Sequence, residues 1–215
     1  MNMKIIVATG NKDKVKEIRE ILQDTDASVV TMAEAGVFAD AEENGSTFLE
    51  NALIKAKAVH DRAAESDEWR DAFVIADDSG LVIDALNGEP GIYSARYLGY
   101  DTSYREKNAD LIRRLNGVPD EERSARFICA IAAVCPDGRV LKAEAAMEGR
   151  IGYEERGENG FGYDPIFYLQ EYDCTSAELS REEKNKISHR GKALRIMREK
   201  LMGQGETAKA AYRGE

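Results

Sequence analysis

Ile75-Ala-Asp77-Asp78-Ser79-Gly80 places two adjacent carboxylates and a hydroxyl after an apolar run that starts at Phe73. Carboxylate oxygens are the ligands that hold a hard divalent cation against a phosphate, so the chemistry this spacing offers is metal-assisted handling of a phosphate ester or anhydride. The β-branched residues before the motif favour a buried strand, and Asp-Asp-Ser-Gly disfavours its continuation. The two acids are therefore expected at a strand end, where α/β proteins carry chemistry. An ordinary Asp-Ser-Gly turn has the same sequence, so the rest of the chain must decide.

Other residue groups offer complementary chemistry. Thr9-Gly10-Asn11-Lys12-Asp13-Lys14 opens a helix with small residues, unpaired N–H groups and two lysines, a setting that favours a phosphate. It lacks the second glycine of a Walker loop, and a plain strand-to-helix turn capped by Asn11 or Thr9 fits it equally. Glu42 and Glu43 form an acidic pair that is a solvated face by itself and a source of metal ligands beside Asp77 and Asp78. Gly160-Phe161-Gly162-Tyr163-Asp164-Pro165 offers two aromatic rings and a carboxylate to a base, unless both rings pack inward as a turn. Lys184 and Ser188 are four apart and are expected to share one helix face with Gly191, close to His189 and Arg190. Arg96 suits an anion or a second subunit equally.

The elements that must position these groups follow from periodicity. Lys4–Ala8 reads as a buried strand, and Val15, Ile18, Ile21 and Leu22 form a helical stripe after it. A short strand near Val29-Val30 precedes the acidic loop 40–45. A long helix begins at Thr47, where Glu50 completes a capping box, and it buries Phe48, Ala52, Leu53, Ala56 and Val59 while Lys55 and Lys57 lie off the stripe. Strand character resumes over Leu81–Leu86 after a tight turn. A helix over Tyr104–Leu115 stops at Asn116-Gly117, and Phe127–Val134 and Arg139–Ala146 flank a hairpin turn at Pro136-Asp-Gly138. The last helix is expected from Ser180, with Glu183 as its capping partner, to about Leu201. The tail 202–215 lacks a sustained apolar face and is expected to be mobile.

Composition bounds the function. Thirty Lys and Arg stand against forty Asp and Glu, a net charge of −10, which argues against a broad polyanion groove and so against nucleic acid as partner. A phosphate ligand would depend on local cations. Cys129, Cys135 and Cys174 match neither a disulfide set nor a zinc spacing, so a reduced cytoplasmic compartment is expected. The first residues carry too short an apolar run for a signal peptide, and no stretch approaches a membrane span.

Taken together, Thr9-Gly-Asn with Lys14, Thr47-Phe with Glu50-Asn-Ala and Lys55-Ala, Ala76-Asp-Asp-Ser-Gly, Pro90-Gly-Ile-Tyr-Ser-Ala-Arg96, Gly160-Phe-Gly-Tyr-Asp-Pro and Ser188-His-Arg-Gly resemble, in order from about Lys4 to Leu201, the inosine/xanthosine triphosphate pyrophosphatases. The resemblance implies an α/β fold: a long twisted mixed β-sheet flanked by helices, with two lobes (1–201) and the active cleft between them, commonly as a homodimer. It implies hydrolysis of ITP, dITP and XTP to the monophosphate and pyrophosphate with Mg²⁺. By matched motif, Thr9, Gly10, Asn11, Lys12, Asp13 and Lys14 would hold the triphosphate, Glu42 and Asp78 the metal, and Asp78 would also accept a proton. Ser79 would touch the substrate. Phe161, Gly162, Tyr163 and Asp164 would cradle base and sugar, with Lys184, His189 and Arg190 completing the pocket. Asp77 is left as support.

The implied reaction is in-line attack of water on the α-phosphorus. Base choice would rest on N–H donors around Phe161–Asp164 and His189-Arg190 facing the 6-keto oxygen of the purine. Two rivals use the same residues: a nucleotide sensor without turnover, and a phosphohydrolase that attacks the γ-phosphate. Product identity separates them, since α-attack releases pyrophosphate and γ-attack orthophosphate.

Overall fold

The computed structural model describes residues 3–23 and 25–211. Seven strands form one mixed sheet in the order β2-β1-β3-β4-β5-β6-β7. They are β1 (Met3–Val7), β2 (Ala27–Thr31), β3 (Phe73–Ile83), β4 (Ser124–Val134), β5 (Val140–Ile151), β6 (Phe167–Leu169) and β7 (Cys174–Thr175). The helices are α1 (Lys12–Leu22), α2 (Phe48–Ala64), α3 (Tyr104–Arg114), α4 (Arg181–Ile187) and α5 (His189–Ala211). β1 runs parallel to β2 and β3, whereas β6 is antiparallel to β5 and β7. The expected mixed α/β sheet is found. Among the described residues no helix is long and apolar enough to cross a membrane.

The chain divides into two compact units, the first of residues 1–78, 130–144 and 191–215 and the second of residues 79–129 and 145–190. In the first, Ala52, Ala56 and Val59 of α2 pack with Ile6, Val74, Ala76, Ala132 and Val134. Methyl-sized side chains on both surfaces let helix and strands approach closely, which brings polar residues of α2 within reach of β3. In the second, Leu81, Ile83, Leu111, Leu115, Phe127, Met147, Ile151 and Phe167 form a bulkier core.

Two expectations are corrected. Asp77–Gly80 does not end a strand: β3 continues without a turn for eleven residues, because β-branched and leucine side chains on both flanks are buried and an interior strand has a neighbour on each side. What stops is the neighbour. β1 pairs with β3 only over Phe73–Ile75, so the carboxylates lie just beyond the end of β1. The last helix is also interrupted. α4 ends at Ile187, the next residue, Ser188, is extended with φ −63° and ψ 150°, and α5 starts at His189, so Lys184, Ser188 and Gly191 do not share one helix face. Of the tail beyond Met202, residues 203–211 continue α5 and 212–215 lie outside the described residues.

Candidate functional site

Successive residues of a strand point to opposite faces, so β3 sends its two adjacent acids to two different helices. Asp77 pairs with Lys14 of α1 at 2.9 Å, its side chain 1 % exposed. Asp78 lies on the face of Val74 and Ala76 and meets α2: Asn51 Nδ2 donates to its Oδ2 at 3.3 Å and Lys55 Nζ to its Oδ1 at 3.3 Å. Lys55 also reaches Glu43 Oε2 at 3.1 Å. One ammonium thus holds two carboxylates that would otherwise repel.

The acidic loop is fastened to the same helix. Gly45 N–H donates to Asn51 Oδ1 at 2.8 Å, so one fully buried amide joins the loop to Asp78. A Cβ on Gly45 would lie 2.7 Å from Glu50 Cβ and 2.8 Å from Asn51 Oδ1, too close for any other residue. The expected capping box is only half formed: Thr47 accepts from Glu50 N–H, but the Glu50 carboxylate accepts chiefly from Ser46 N–H and Oγ at 2.7 Å.

Burial and the nearby Glu43 carboxylate push Asp78 above the ordinary carboxylate range, against the opposing pull of Lys55, Lys14 and Asn51. Burial acts to lower Lys55, yet Asp78, Asp77 and Glu43 together hold it above its usual value. The ammonium stays charged while the carboxyl becomes a better proton acceptor.

The predicted site residues divide between the units. In the first, Asn11 caps α1, accepting from Asp13 N–H at 2.9 Å and Lys14 N–H at 3.3 Å, and Thr9 Oγ1 accepts from Asn11 N–H at 3.2 Å. The capped-turn reading of this loop is therefore present. Gly10, Lys12 and Asp13 are exposed, and a Cβ on Gly10 would meet nothing within 4 Å. Glu42 is exposed, and its contribution to the loop is a carbonyl that accepts from Asn44 N–H at 2.9 Å. The acid brought to Asp78 through Lys55 is Glu43, one residue on. Among the described residues no three His, Cys, Asp or Glu side chains gather as a metal group.

In the second unit, Asp164 is the centre. Its Oδ2 accepts from Lys184 Nζ at 2.5 Å and from Phe161 N–H at 2.8 Å, and its Oδ1 from Ser176 Oγ at 3.0 Å. Phe161 carries two cations near its ring, Lys184 Nζ at 5.2 Å and the Arg190 guanidinium at 5.7 Å from the centroid. Arg190 Nη2 lies 3.5 Å from Ser79 Oγ. The buried His189 ring stacks on Phe127 at 4.9 Å. The two aromatic rings of the loop are not both displayed: Tyr163 is buried, its O–H donating to the Ser94 carbonyl at 2.7 Å and its ring edge-on to Tyr104. Arg96 lies over Tyr93, 4.9 Å from the ring centroid.

Of the two residues that hold Asp78, Asn51 is absent from the site expected from sequence, and the sequence leaves open whether Lys55 contributes. The available signal was a polar pair at i, i+4 bordering an alanine-rich stripe, where a fully apolar face would have been simpler.

Residues 5–200 match the model of the Ham1 family. A dITP/XTP pyrophosphatase of Desulforamulus reducens is 49% identical over 90% of this chain and 92% of its own length. One of Clostridium perfringens is 46% identical over 93% and 98%. The solved structure of the Staphylococcus aureus Ham1 protein superimposes with a TM-score of 0.82 at 40% identity, covering 94% of this chain and 99% of that one.

Proposed function

The chain belongs to the Ham1 family, and from that footing we propose that it hydrolyses deaminated purine nucleoside triphosphates such as dITP, ITP and XTP to the monophosphate and pyrophosphate. The observation that carries the reading is Asp78: a buried carboxylate with its proton affinity raised, steadied by Asn51 and Lys55, in a chain nearly half identical to dITP/XTP pyrophosphatases.

The phosphate chemistry falls to the residues around Asp78. The start of α1 presents N–H groups and Lys14 to the triphosphate, while Asp78 accepts the proton of the water that attacks the α-phosphorus. Asn51 and Lys55 keep that carboxylate aimed, and a carboxylate already accepting two hydrogen bonds still has lone pairs for a third partner. The donor set fits Mg²⁺: Asp78 and Glu43 offer hard oxygens drawn together by one ammonium, and with only two acids the remaining positions fall to water and substrate phosphate. Bound there, Mg²⁺ would neutralise charge developing on the phosphate oxygens. Glu43 takes the place that sequence reasoning gave to Glu42.

Base selection falls to Phe161 as stacking surface and to Lys184, Arg190 and backbone N–H groups of 161–164 as donors. Exposed Tyr93, Leu98 and Tyr100, at 56%, 52% and 76%, support the homodimer that the resemblance implies. We place the enzyme in the cytoplasm, in keeping with its free cysteines.

The test is a panel of ITP, dITP, XTP, GTP and ATP with Mg²⁺, scoring pyrophosphate and orthophosphate separately. Pyrophosphate from the first three, well above ATP, is expected. Orthophosphate as first product, or ATP turned over as fast as XTP, overturns the assignment.

A further inference from the structure

The second unit contains a buried amide with no part in the chemistry above. Asn108 of α3 is 1% exposed; its Nδ2 donates to Glu155 Oε1 at 2.7 Å and to the Gly162 carbonyl at 3.3 Å. Its Oδ1 is buried and accepts nothing among the described residues. An apolar side chain of the same shape would pack there without an unmet acceptor, so packing alone does not call for asparagine.

The peptide that Asn108 holds is the central one of a tight turn, Phe161–Asp164, closed by Asp164 N–H donating to the Phe161 carbonyl at 3.4 Å. Gly162 has φ +70°, a conformation for which glycine has no steric cost, and Tyr163 follows at φ −89° and ψ 3°, so the turn and the Asn108 amide favour the same orientation of the peptide between them. Its neighbours are fixed otherwise. Phe161 N–H is bound to Asp164 and the Tyr163 side chain to Ser94 and Tyr104. A trans peptide is planar, so a Gly162 carbonyl held toward α3 turns the Tyr163 N–H the opposite way. That N–H meets no acceptor among the described residues.

We infer that Asn108 is a positioning residue for base selection: by holding the Gly162 carbonyl it presents the Tyr163 N–H as a donor to a purine 6-oxo group. A 6-amino group would meet that donor with a donor of its own. The inference rests on the reading that the 161–164 loop receives the base.

The test is steady-state pyrophosphate release from ITP and ATP, which differ at the 6-position, by wild type, Asn108→Leu, Glu155→Ala and Glu155→Gln. Asn108→Leu is expected to lower the ITP:ATP ratio of kcat/KM about tenfold, through a raised KM for ITP with kcat nearly kept. Exposed Glu155 can be removed without disturbing the core, and Glu155→Ala is expected to shift the ratio in the same direction by less. Glu155→Gln keeps an acceptor and should retain the wild-type ratio. An unchanged ratio and KM in a folded Asn108→Leu protein, with only stability lost, overturns the inference and leaves the activity standing. If Asn108→Leu does not fold, Glu155→Ala decides, and an unchanged ratio overturns it. A wild type that releases no pyrophosphate from ITP overturns the functional reading and this inference with it.

Discussion

Asp78 in the first unit and Asp164 in the second are both buried aspartates paired with a lysine, yet they are built differently. Asp164 accepts three hydrogen bonds between 2.5 and 3.0 Å, from an ammonium, a backbone N–H and a hydroxyl. Asp78 accepts two, both at 3.3 Å, and its lysine is divided with Glu43. Charge-assisted bonds near 2.8 Å hold a group in one state, whereas long shared ones leave lone pairs and proton affinity available. Asp164 is committed to holding the loop 160–164; Asp78 is oriented but uncommitted, which is what its proposed part as proton acceptor requires.

The largest effect expected from this contrast is on turnover. Asp78→Asn should lower kcat by ~10²–10⁴-fold while the circular dichroism spectrum and cooperative melt persist. Near-normal turnover would remove Asp78 from the reaction. Asp164→Asn should act the other way round, with little change in kcat for the folded fraction but a lower melting temperature and a raised KM. Halving the acceptor capacity of a buried carboxylate beside a charged lysine costs about 3 kcal/mol. If both variants lose kcat alike, the contrast between the two aspartates fails.

Next in size is Lys55→Met, which removes the ammonium between two acids. Burial already raises Asp78 and Lys55 opposes that rise, so without Lys55 the carboxyl should climb further. A base works ionised, so the acid limb of the kcat against pH profile should move to higher pH, with most of the loss at low pH and partial recovery as pH increases. A uniform loss at every pH would mean that Lys55 binds substrate and does not tune Asp78.

How much of this was legible beforehand depended on whether a signal was local. Strand, helix and turn elements followed from periodicity, and Asp77 and Asp78 stood out by composition. The strand alternation that separates them was hidden because Asp-Asp-Ser-Gly reads as a turn in isolation; the flanking β-branched residues and an interior place in the sheet overrode that preference. Glu43 could not be told from Glu42 in an irregular loop, where no period fixes which side chain turns inward. Lys55 lies off the apolar stripe, and the sequence leaves its part in the site open because its partners are charged groups distant in sequence. Ser188 had helix-forming neighbours on both sides, and only the backbone shows the break.

Asn51 tests the contrast on its other side, since the same amide serves Asp78 and the acidic loop. Asn51→Leu should cost about 1–3 kcal/mol in denaturant unfolding, because Gly45 N–H loses its acceptor in a part-buried setting. It should also lower kcat by a smaller factor than Asp78→Asn, since the carboxylate remains but loses one of its two guides. Stability lost with kcat intact would make Asn51 a fastener of the loop alone.

The smallest effect is expected where a carboxylate has two short hydrogen bonds yet is half-exposed. Glu34 accepts from Thr31 N–H at 2.7 Å and from Arg19 at 2.6 Å, and these partners lower it from 4.5 to about 2. A depressed carboxyl contributes stability above its unfolded value and loses it as pH falls through the folded one. The difference between wild type and Glu34→Gln should therefore be constant above about pH 5 and shrink to nothing near pH 2. Its size should be only ~0.5 kcal/mol, since the Glu34 side chain is 50% exposed and water screens the pair. Denaturant melts at pH 7, 4 and 2.5 measure it. A loss as large as that of Asp164→Asn would mean that bond number alone sets the value of a carboxylate, and burial, on which the contrast between Asp78 and Asp164 depends, would not be the deciding variable.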